Sequence, residues 1–337
     1  MAQVPQTNSI LISRADSIGD VVLTLPMAGI LKQILPGVKI IFLGKNYTRD
    51  VIALSEHVDE FISYDELAKK SFTEQIYFLR EKNINAAVHV FPKADLARLF
   101  KKAGITLRIG TTNRLFHWFN CNKLIALSRK NSPYHEAQLN LKLITCLGAK
   151  EHYELQEIIP YYGFTKVSEL NKEFSNLIDD QKTNIILHPK SKGSAREWGL
   201  ENFDHLIKQL PQEKYKIFIS GTKEEGVALK DLINNNPQVT DLSGKMNLQQ
   251  FIAFIHACDG LIAASTGPLH IAAALGKKAL GLFSPRRPIH PGRWMPLGIH
   301  AGHLIFDKNC PTCKKGKDCN CIQNISVSEL IKKLEEL

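Results

Sequence analysis

The sequence is short of several things, and each shortage excludes something. In 337 residues no uninterrupted apolar run approaches the roughly 20 residues that a membrane-spanning helix needs. The start, Met1-Ala-Gln-Val-Pro-Gln-Thr-Asn-Ser9, has no basic segment followed by an apolar core, so it does not read as a secretory signal. There is no Gly-x-Gly-x-x-Gly fingerprint and no Gly-x-x-x-x-Gly-Lys-[Ser/Thr] loop, which counts against a dinucleotide enzyme and a P-loop nucleotidase. Cysteines number seven, and Cys121, Cys146 and Cys258 stand alone, so no disulfide framework is in view. Acidic residues are outnumbered, 33 against 43 Lys and Arg, for a net charge of +10. That balance favours anionic partners. The basic residues are dispersed, apart from Lys314-Lys315-Gly316-Lys317, and no nucleic-acid groove is indicated. A cytoplasmic protein that binds no nucleic acid is expected.

What is present is an α/β pattern. With 44% apolar residues the chain can bury sizeable cores, and its length suggests two domains. Ile10–Ser13 reads as a strand, Ser17 caps a helix that Pro26 kinks and that resumes to about Leu35, and Val38–Leu43 is a second strand. That spacing is a βαβ unit with a parallel sheet. Further units follow: a strand within His57–Ser63, a helix over Asp65–Lys82, a strand over Ala86–Phe91 and a helix to Lys102. Leu107–Gly110 opens a loop, Thr111–Asn122. A helix over His135–Leu147 ends at Gly148. Thr165–Asp180 reads as a surface helix in a linker near Tyr161–Lys182. A second series runs from Asn184 to Phe283, and Ser326–Leu337 has helical spacing.

The second series contains the stretch Gly260–Gly276. Leu261–Ala264 reads as a buried strand, Ser265-Thr266-Gly267 breaks it, and Pro268 opens an Ala-rich helix. Pro is tolerated in a first turn, and Ser265 or Thr266 can cap. Free N–H groups at such a helix start suit phosphate, though an ordinary strand–turn–helix has the same pattern. Ligands of parallel sheets bind at the carboxyl ends of strands. The loops Arg14–Asp20, His188–Trp198, Gly221–Glu225 and Ser265–His270 all follow strands.

Four of these motifs, in order, resemble glycosyltransferase family 9, the ADP-heptose:lipopolysaccharide heptosyltransferases. They are Ser17-Ile-Gly-Asp20 with Leu-Thr-Leu-Pro26, His188-Pro with Arg196-Glu-Trp198, Asp241-Leu-Ser-Gly-Lys245, and Ser265-Thr-Gly-Pro-Leu-His270 through Gly276. The resemblance implies a GT-B fold. Two Rossmann-like, doubly wound parallel-sheet domains would face a cleft, 1–165 for the acceptor and 166–337 for the nucleotide-sugar donor. The C-terminal helix would pack back on the first domain. It also implies inverting sugar transfer without a catalytic metal or other cofactor.

Such transfer needs a base for the acceptor hydroxyl and stabilisation of a departing diphosphate. Asp20 matches the family's base position, although a first-turn carboxylate also simply complements a helix dipole. Arg196 matches a family cation for the donor diphosphate, with Lys192, Lys190, Ser191 and Ser194 assisting from the same loop. Glu225 stands near a family acid that binds the nucleotide ribose. Thr266, Gly267 and His270 complete the donor site. Where the family commonly has Asp, this chain has Ser265, which bears on the choice of sugar. For an anionic acceptor the candidate cations are Arg14, Lys93 and Arg114, with Arg108, His117, Arg286, Arg287 and Arg293 behind them. Trp198 reads as a packing residue. Cys310-x-x-Cys313 and Cys319-x-Cys321 fit either a structural zinc clip or free thiols.

The expected activity is transfer of a heptose or similar sugar from an ADP-sugar to an anionic, lipid-linked saccharide of the lipopolysaccharide-core type. It would take place in peripheral contact with the cytoplasmic face of the inner membrane. Another nucleotide-sugar or glycan acceptor, or a non-catalytic nucleotide-sugar or glycan-binding protein, fits the same residues.

Overall fold

The computed structural model describes residues 7–129 and 132–337; most of the amino-terminal segment read above as lacking a signal lies outside them. The chain divides into two compact units, Met1–Lys166 and Val167–Leu337. The first holds strands β1 (Ser9–Ser13), β2 (Lys39–Gly44), β3 (Glu60–Ser63), β4 (Ala86–His89), β5 (Leu107–Thr111) and β6 (Lys123–Ile125). The second holds β7 (Thr183–His188), β8 (Tyr215–Ile219), β9 (Thr240–Asp241), β10 (Gly260–Ala264), β11 (Lys278–Phe283) and β12 (Ala301–Ile305). The sheet orders are β3-β2-β1-β4-β5-β6 and β12-β11-β10-β7-β8-β9. Every pairing within these sheets is parallel.

Both sheets have one topology. Each begins at a central strand, runs outward to one side, then returns and runs outward to the other. Strand order therefore reverses between β1 and β4 in the first unit and between β7 and β10 in the second. The crevice at such a reversal is where open α/β sheets take ligands. The central strands are apolar because helices cover both faces: all five residues of β1 and all five of β10 are buried.

Three local readings differ from the structure. The helix over Asp65–Lys82 is two helices, Tyr64–Ala68 and Phe72–Glu81, because Ser71 and Glu74 form a capping box that starts the second. The loop Thr111–Asn122 contains a helix, Leu115–Asn120. Only Lys172–Ser175 of the expected helix Thr165–Asp180 is helical. Upstream of it, side chains of the helix Leu248–Ala257 take polar groups that a helix would need. Gln250 accepts from the Asn171 N–H at 2.9 Å and donates to the Glu169 carbonyl at 3.1 Å. The C-terminal helix Val327–Glu336 packs on the second unit. Val327, Leu330 and Leu334 join the core of the second, with Ile185, Phe203 and Leu280.

Trp198 is a packing residue, as read. It is 1% exposed, stands edge-on to Phe203 with centroids 5.0 Å apart, and donates its indole N–H to the Ile325 carbonyl at 3.0 Å.

Candidate functional site

In the first unit, the chain leaves the carboxyl end of β1 at Arg14. This guanidinium is only 3% exposed. Its Nε donates to Asp16 at 2.8 Å, one terminal nitrogen donates to Asp20, and the other donates to Glu136 at 3.2 Å and Asn140 at 3.4 Å. Arg129 closes the group from the far side, on Glu136 at 3.0 Å and Asn140 at 3.0 Å. Two guanidiniums thus meet three carboxylates, and Glu136 has no exposed surface. Asn140 also donates to the Leu23 carbonyl and the Thr24 hydroxyl, both at 3.1 Å. The network ties the helix Glu136–Leu141 to the turn that follows Asp20. Arg14 is therefore not the acceptor-facing cation expected from sequence; it is a buried hub that orients Asp20.

Asp20 lies in the first turn of the helix Ile18–Val22, with its side chain 19% exposed. One carboxylate oxygen meets Arg14 and the other accepts from the Ser17 hydroxyl. Each oxygen keeps a second lone pair for a substrate proton. Burial pushes the Asp16 carboxyl up to about 7, with Arg14 opposing and Asp20 adding to the rise. Asp16, Glu136, Asn140 and Arg129 were missed by sequence reasoning. Glu136 is 122 residues from its partner Arg14, and no local pattern announces such a pair.

The other expected cations are placed differently from one another. Lys93 follows β4, across the strand reversal from Asp20, with its ammonium 4.3 Å from the Tyr64 ring centre. Arg114 is exposed at the start of the helix Leu115–Asn120 and makes no ion pair among the described residues. Arg108 is committed to the Asn120, Ile105 and Thr106 carbonyls, and buried His117 accepts from the Thr111 N–H at 2.9 Å, so both are structural.

In the second unit, the loops after β7, β8, β10 and β11 share the carboxyl edge of one sheet. The loop after β7 is organised by Glu197, which pairs with Lys190 and accepts from the Ser191 N–H at 2.9 Å and hydroxyl at 3.1 Å. Ser194 donates its hydroxyl to the Ser191 carbonyl at 2.7 Å. Lys190, Ser191 and Ser194 are thus spent inside the loop, and the expected serine donation to phosphate is not what the structure shows. Lys192 is exposed, free of any ion pair among the described residues, and adopts φ 49°, beside Gly193 at φ 76°. The left-handed backbone is costly at Lys192, which has a Cβ, and free of that cost at Gly193.

Arg196 lines a cavity of about 290 Å³ together with Arg286 and Arg287. Arg286 and Arg287, read above among the acceptor candidates, lie in the second unit and border the same cavity as the predicted diphosphate ligand. Arg293 lies in this unit too, 5.0 Å from the Trp294 ring centre.

Glu225 is the N3 residue of a capping box, its carboxylate accepting from the Thr222 N–H at 2.8 Å. It is 9% exposed and electrostatically close to His188, the last residue of β7. Burial drives His188 down to about 4, against the pull of Glu225 and Glu197, so the ring is neutral at pH 7. Its Nδ1 lies 2.9 Å from the Ser220 hydroxyl. The motif reading quoted His188 but gave it no role.

Thr266 is the N-cap of the helix Gly267–Ala274, yet its side chain makes no capping bond. The hydroxyl is buried and has no hydrogen-bond partner among the described residues. Such a group costs about 1–3 kcal/mol unless something satisfies it. It lies beside the N–H groups that open the helix, donors of the kind that suit an anion. His270 stands in the first turn, 2% exposed, its ring 6.4 Å from that of Trp294. Ser265 is half-buried beside it.

Cys310, Cys313, Cys319 and Cys321 come together: their sulfur atoms all lie within 4.8 Å of one another, and none is in a disulfide.

Against known proteins, the family model for glycosyltransferase family 9 (heptosyltransferase) matches residues 79–322. A Haemophilus influenzae protein named only as a glycosyltransferase is 26% identical over 96% of this chain and 94% of its own length. Two solved structures share the fold. One is the E. coli ADP-heptose lps heptosyltransferase II, TM-score 0.73, 19% identical, covering 97% of this chain and 98% of that one. The other is the E. coli heptosyltransferase WaaC with ADP-2-deoxy-2-fluoro heptose, TM-score 0.72, 17% identical, covering 97% and 99%. The two-unit, parallel-sheet architecture is the GT-B fold of these structures.

Proposed function

The chain belongs to glycosyltransferase family 9 (heptosyltransferase), and from that premise we propose an inverting, metal-independent transfer of heptose from ADP-heptose to an anionic acceptor of the lipopolysaccharide-core type. The observation that carries the reading is the cavity bordered by Arg196, Arg286 and Arg287 at the carboxyl edge of the second sheet. A nucleoside diphosphate leaving group builds up charge as the glycosidic bond breaks, and fixed guanidiniums stabilise that charge without a metal ion. Thr266 and the first N–H groups of its helix offer further donors. Glu225 takes the ribose hydroxyls with the oxygen that Thr222 leaves open. Asp20 removes the acceptor proton as the new bond forms. No cofactor enters this scheme. The E. coli heptosyltransferases support the nucleotide sugar, one by its name as an ADP-heptose enzyme and the other by its complex with ADP-2-deoxy-2-fluoro heptose.

Ser265 motivates a second reading, a different donor sugar on the same scaffold. A hydroxyl binds sugar hydroxyls more weakly than the family's carboxylate does. A thermal-shift screen over ADP-, UDP- and GDP-sugars separates the two. ADP-heptose at about 100 times its Kd stabilises the protein by about 2.7 kcal/mol, a rise of several degrees in Tm. A shift with UDP- or GDP-sugars alone defeats the ADP assignment, and no shift with any nucleotide sugar defeats the enzyme reading.

The lipid-linked acceptor requires contact with the cytoplasmic face of the inner membrane. No helix of the described residues is long and apolar enough to cross a membrane. The helix Leu115–Asn120, however, leaves Leu115, Trp118 and Phe119 exposed by 74%, 58% and 68%. Lys101 donates to the Phe119 carbonyl at 2.7 Å, with Lys102 beside it. Aromatic side chains flanked by lysines suit an anionic interface. The double variant Trp118→Ser, Phe119→Ser is expected to lose more than about tenfold of its affinity for phosphatidylglycerol vesicles, since each large side chain contributes about 1.5–3 kcal/mol when buried. Unchanged vesicle sedimentation rejects this surface.

A further inference from the structure

The four late cysteines are the largest feature left unused by sugar transfer. They form a cluster of their own, packed on each other rather than on the core of the second unit. Their segment, from Asp307 to Asn320, is mostly polar and lacks the apolar residues that would hold so tight a fold. It turns on Gly316 at φ 70°, and the Lys314 and Gly316 N–H groups close on the Cys310 and Cys313 carbonyls at 3.0 and 2.9 Å. The sulfurs of Cys310 and Cys319, and of Cys313 and Cys321, are 3.5 Å apart. That is far beyond a disulfide bond of about 2.05 Å. It is close to the edge of about 3.8 Å for a tetrahedron with metal–sulfur bonds of about 2.3 Å.

We propose that these four cysteines bind one thiophilic divalent cation, zinc or ferrous iron, in a tetrahedral site, and that the resulting clip positions Arg196. Four thiolates around a divalent ion leave a charge of −2, and Lys314, Lys315 and Lys317 of the same segment lie close in sequence to offset it. Binding releases the thiol protons and involves no change of oxidation state.

The clip reaches the second-unit cavity through its own backbone. Arg196 donates to the Cys319 carbonyl at 3.1 Å and to the carboxylate of Asp318, which also accepts from Arg286 at 3.4 Å. Asp318 is 92% exposed and sits next to a metal ligand in sequence, so the ligand fixes where that carboxylate stands. Without the metal, residues 318 and 319 lose their anchor, and Arg196 loses the two acceptors that aim it. Arg196 is in this respect positioned by the clip, while the consequence for ADP rests on the donor reading above.

The test uses the full chain. Elemental analysis of protein purified without added chelator is expected to show one zinc or iron per chain. Cobalt(II) added to chelator-treated protein is expected to give the intense visible bands of a tetrahedral cobalt thiolate. Cys313→Ser with Cys321→Ser should abolish both. Calorimetry with ADP should show about tenfold weaker binding to the metal-free protein, the loss of one charge-assisted hydrogen bond, restored when zinc is returned. Restoration by zinc distinguishes a displaced arginine from an unfolded protein. Substoichiometric metal with no cobalt spectrum overturns the site. Full metal binding with ADP affinity unchanged on its removal overturns the positioning. If the holo protein binds no ADP at all, the donor reading fails and the metal result stands apart from it.

Discussion

Asp20→Asn is expected to lower turnover by about 10²–10⁴-fold and to leave the affinity for ADP unchanged. The substitution removes a proton acceptor and little else. The amide oxygen can still accept from Arg14, and the amide nitrogen can donate to the Ser17 hydroxyl, so both contacts of the carboxylate have substitutes. The helix Ile18–Val22 keeps its start, and the residues proposed for the diphosphate belong to the other unit. Steady-state kinetics with ADP-heptose and a core acceptor measures the first quantity, and calorimetry with ADP measures the second. A turnover within threefold of wild type would show that Asp20 is not the base. Asp16 would then be the candidate, since it shares Arg14 with Asp20 and its carboxyl is pushed up to about 7. The same titration marks the pH profile: as Asp16 loses its proton near 7, a charge appears beside Arg14. The wild type should show a limb there that Asp16→Asn removes.

How far the sequence carries the site depends on the distance between partners along the chain. Asp20 in its helix start, and Thr266, Gly267 and His270 in theirs, are legible because strand, cap and helix follow one another within a dozen residues. The corresponding elements, Ser9–Ser13 with Ile18–Val22 and Gly260–Ala264 with Gly267–Ala274, form where the pattern puts them. The short edge strands β6 and β12 went unread; Ala301-Gly-His-Leu-Ile305 has neither alternation nor a continuous apolar run, and pairing with β11 makes it a strand. Arg14 was legible as a cation but not as a hub, because its partners Glu136 and Asn140 come from another helix. Arg286 and Arg287 carry no local signal that distinguishes an acceptor ligand from a donor ligand; only the register of β11 puts their loop beside Arg196. Glu225 shows the same limit from the other side. Glu225 is legible as an acid at a helix start, the capping box with Thr222 emerges in the structure, and the remaining carboxylate oxygen is what a ribose would use.

Arg14→Met should cost the first unit about 3–5 kcal/mol. Methionine has nearly the length of arginine and leaves no large void, so the loss is electrostatic. Glu136 has no exposed surface, and it loses its 3.2 Å contact with Arg14 while its contact with Arg129 at 3.0 Å remains. Asp16 and Asp20 lose their shared guanidinium. Arg14→Lys is expected to recover only part of the loss, because one ammonium cannot present a planar fork to carboxylates on three sides. The pH dependence identifies the cause. In the wild type the Asp16 carboxyl already titrates near 7, above its unfolded value of about 4. Removing Arg14 favours the protonated forms of the carboxylates further in the folded state. A folded pKa raised above the unfolded one means that the folded state holds protons through the interval between them, so stability falls as pH rises through that interval and stays low above it. The deficit of Arg14→Met relative to wild type should therefore be full at pH 8 and shrink toward pH 5. Chemical denaturation at the two pH values measures it. A deficit that is the same at both, or larger at pH 5, would mean that packing rather than uncompensated charge is what Arg14 supplies, and the account of it as the hub that orients Asp20 would have to be abandoned.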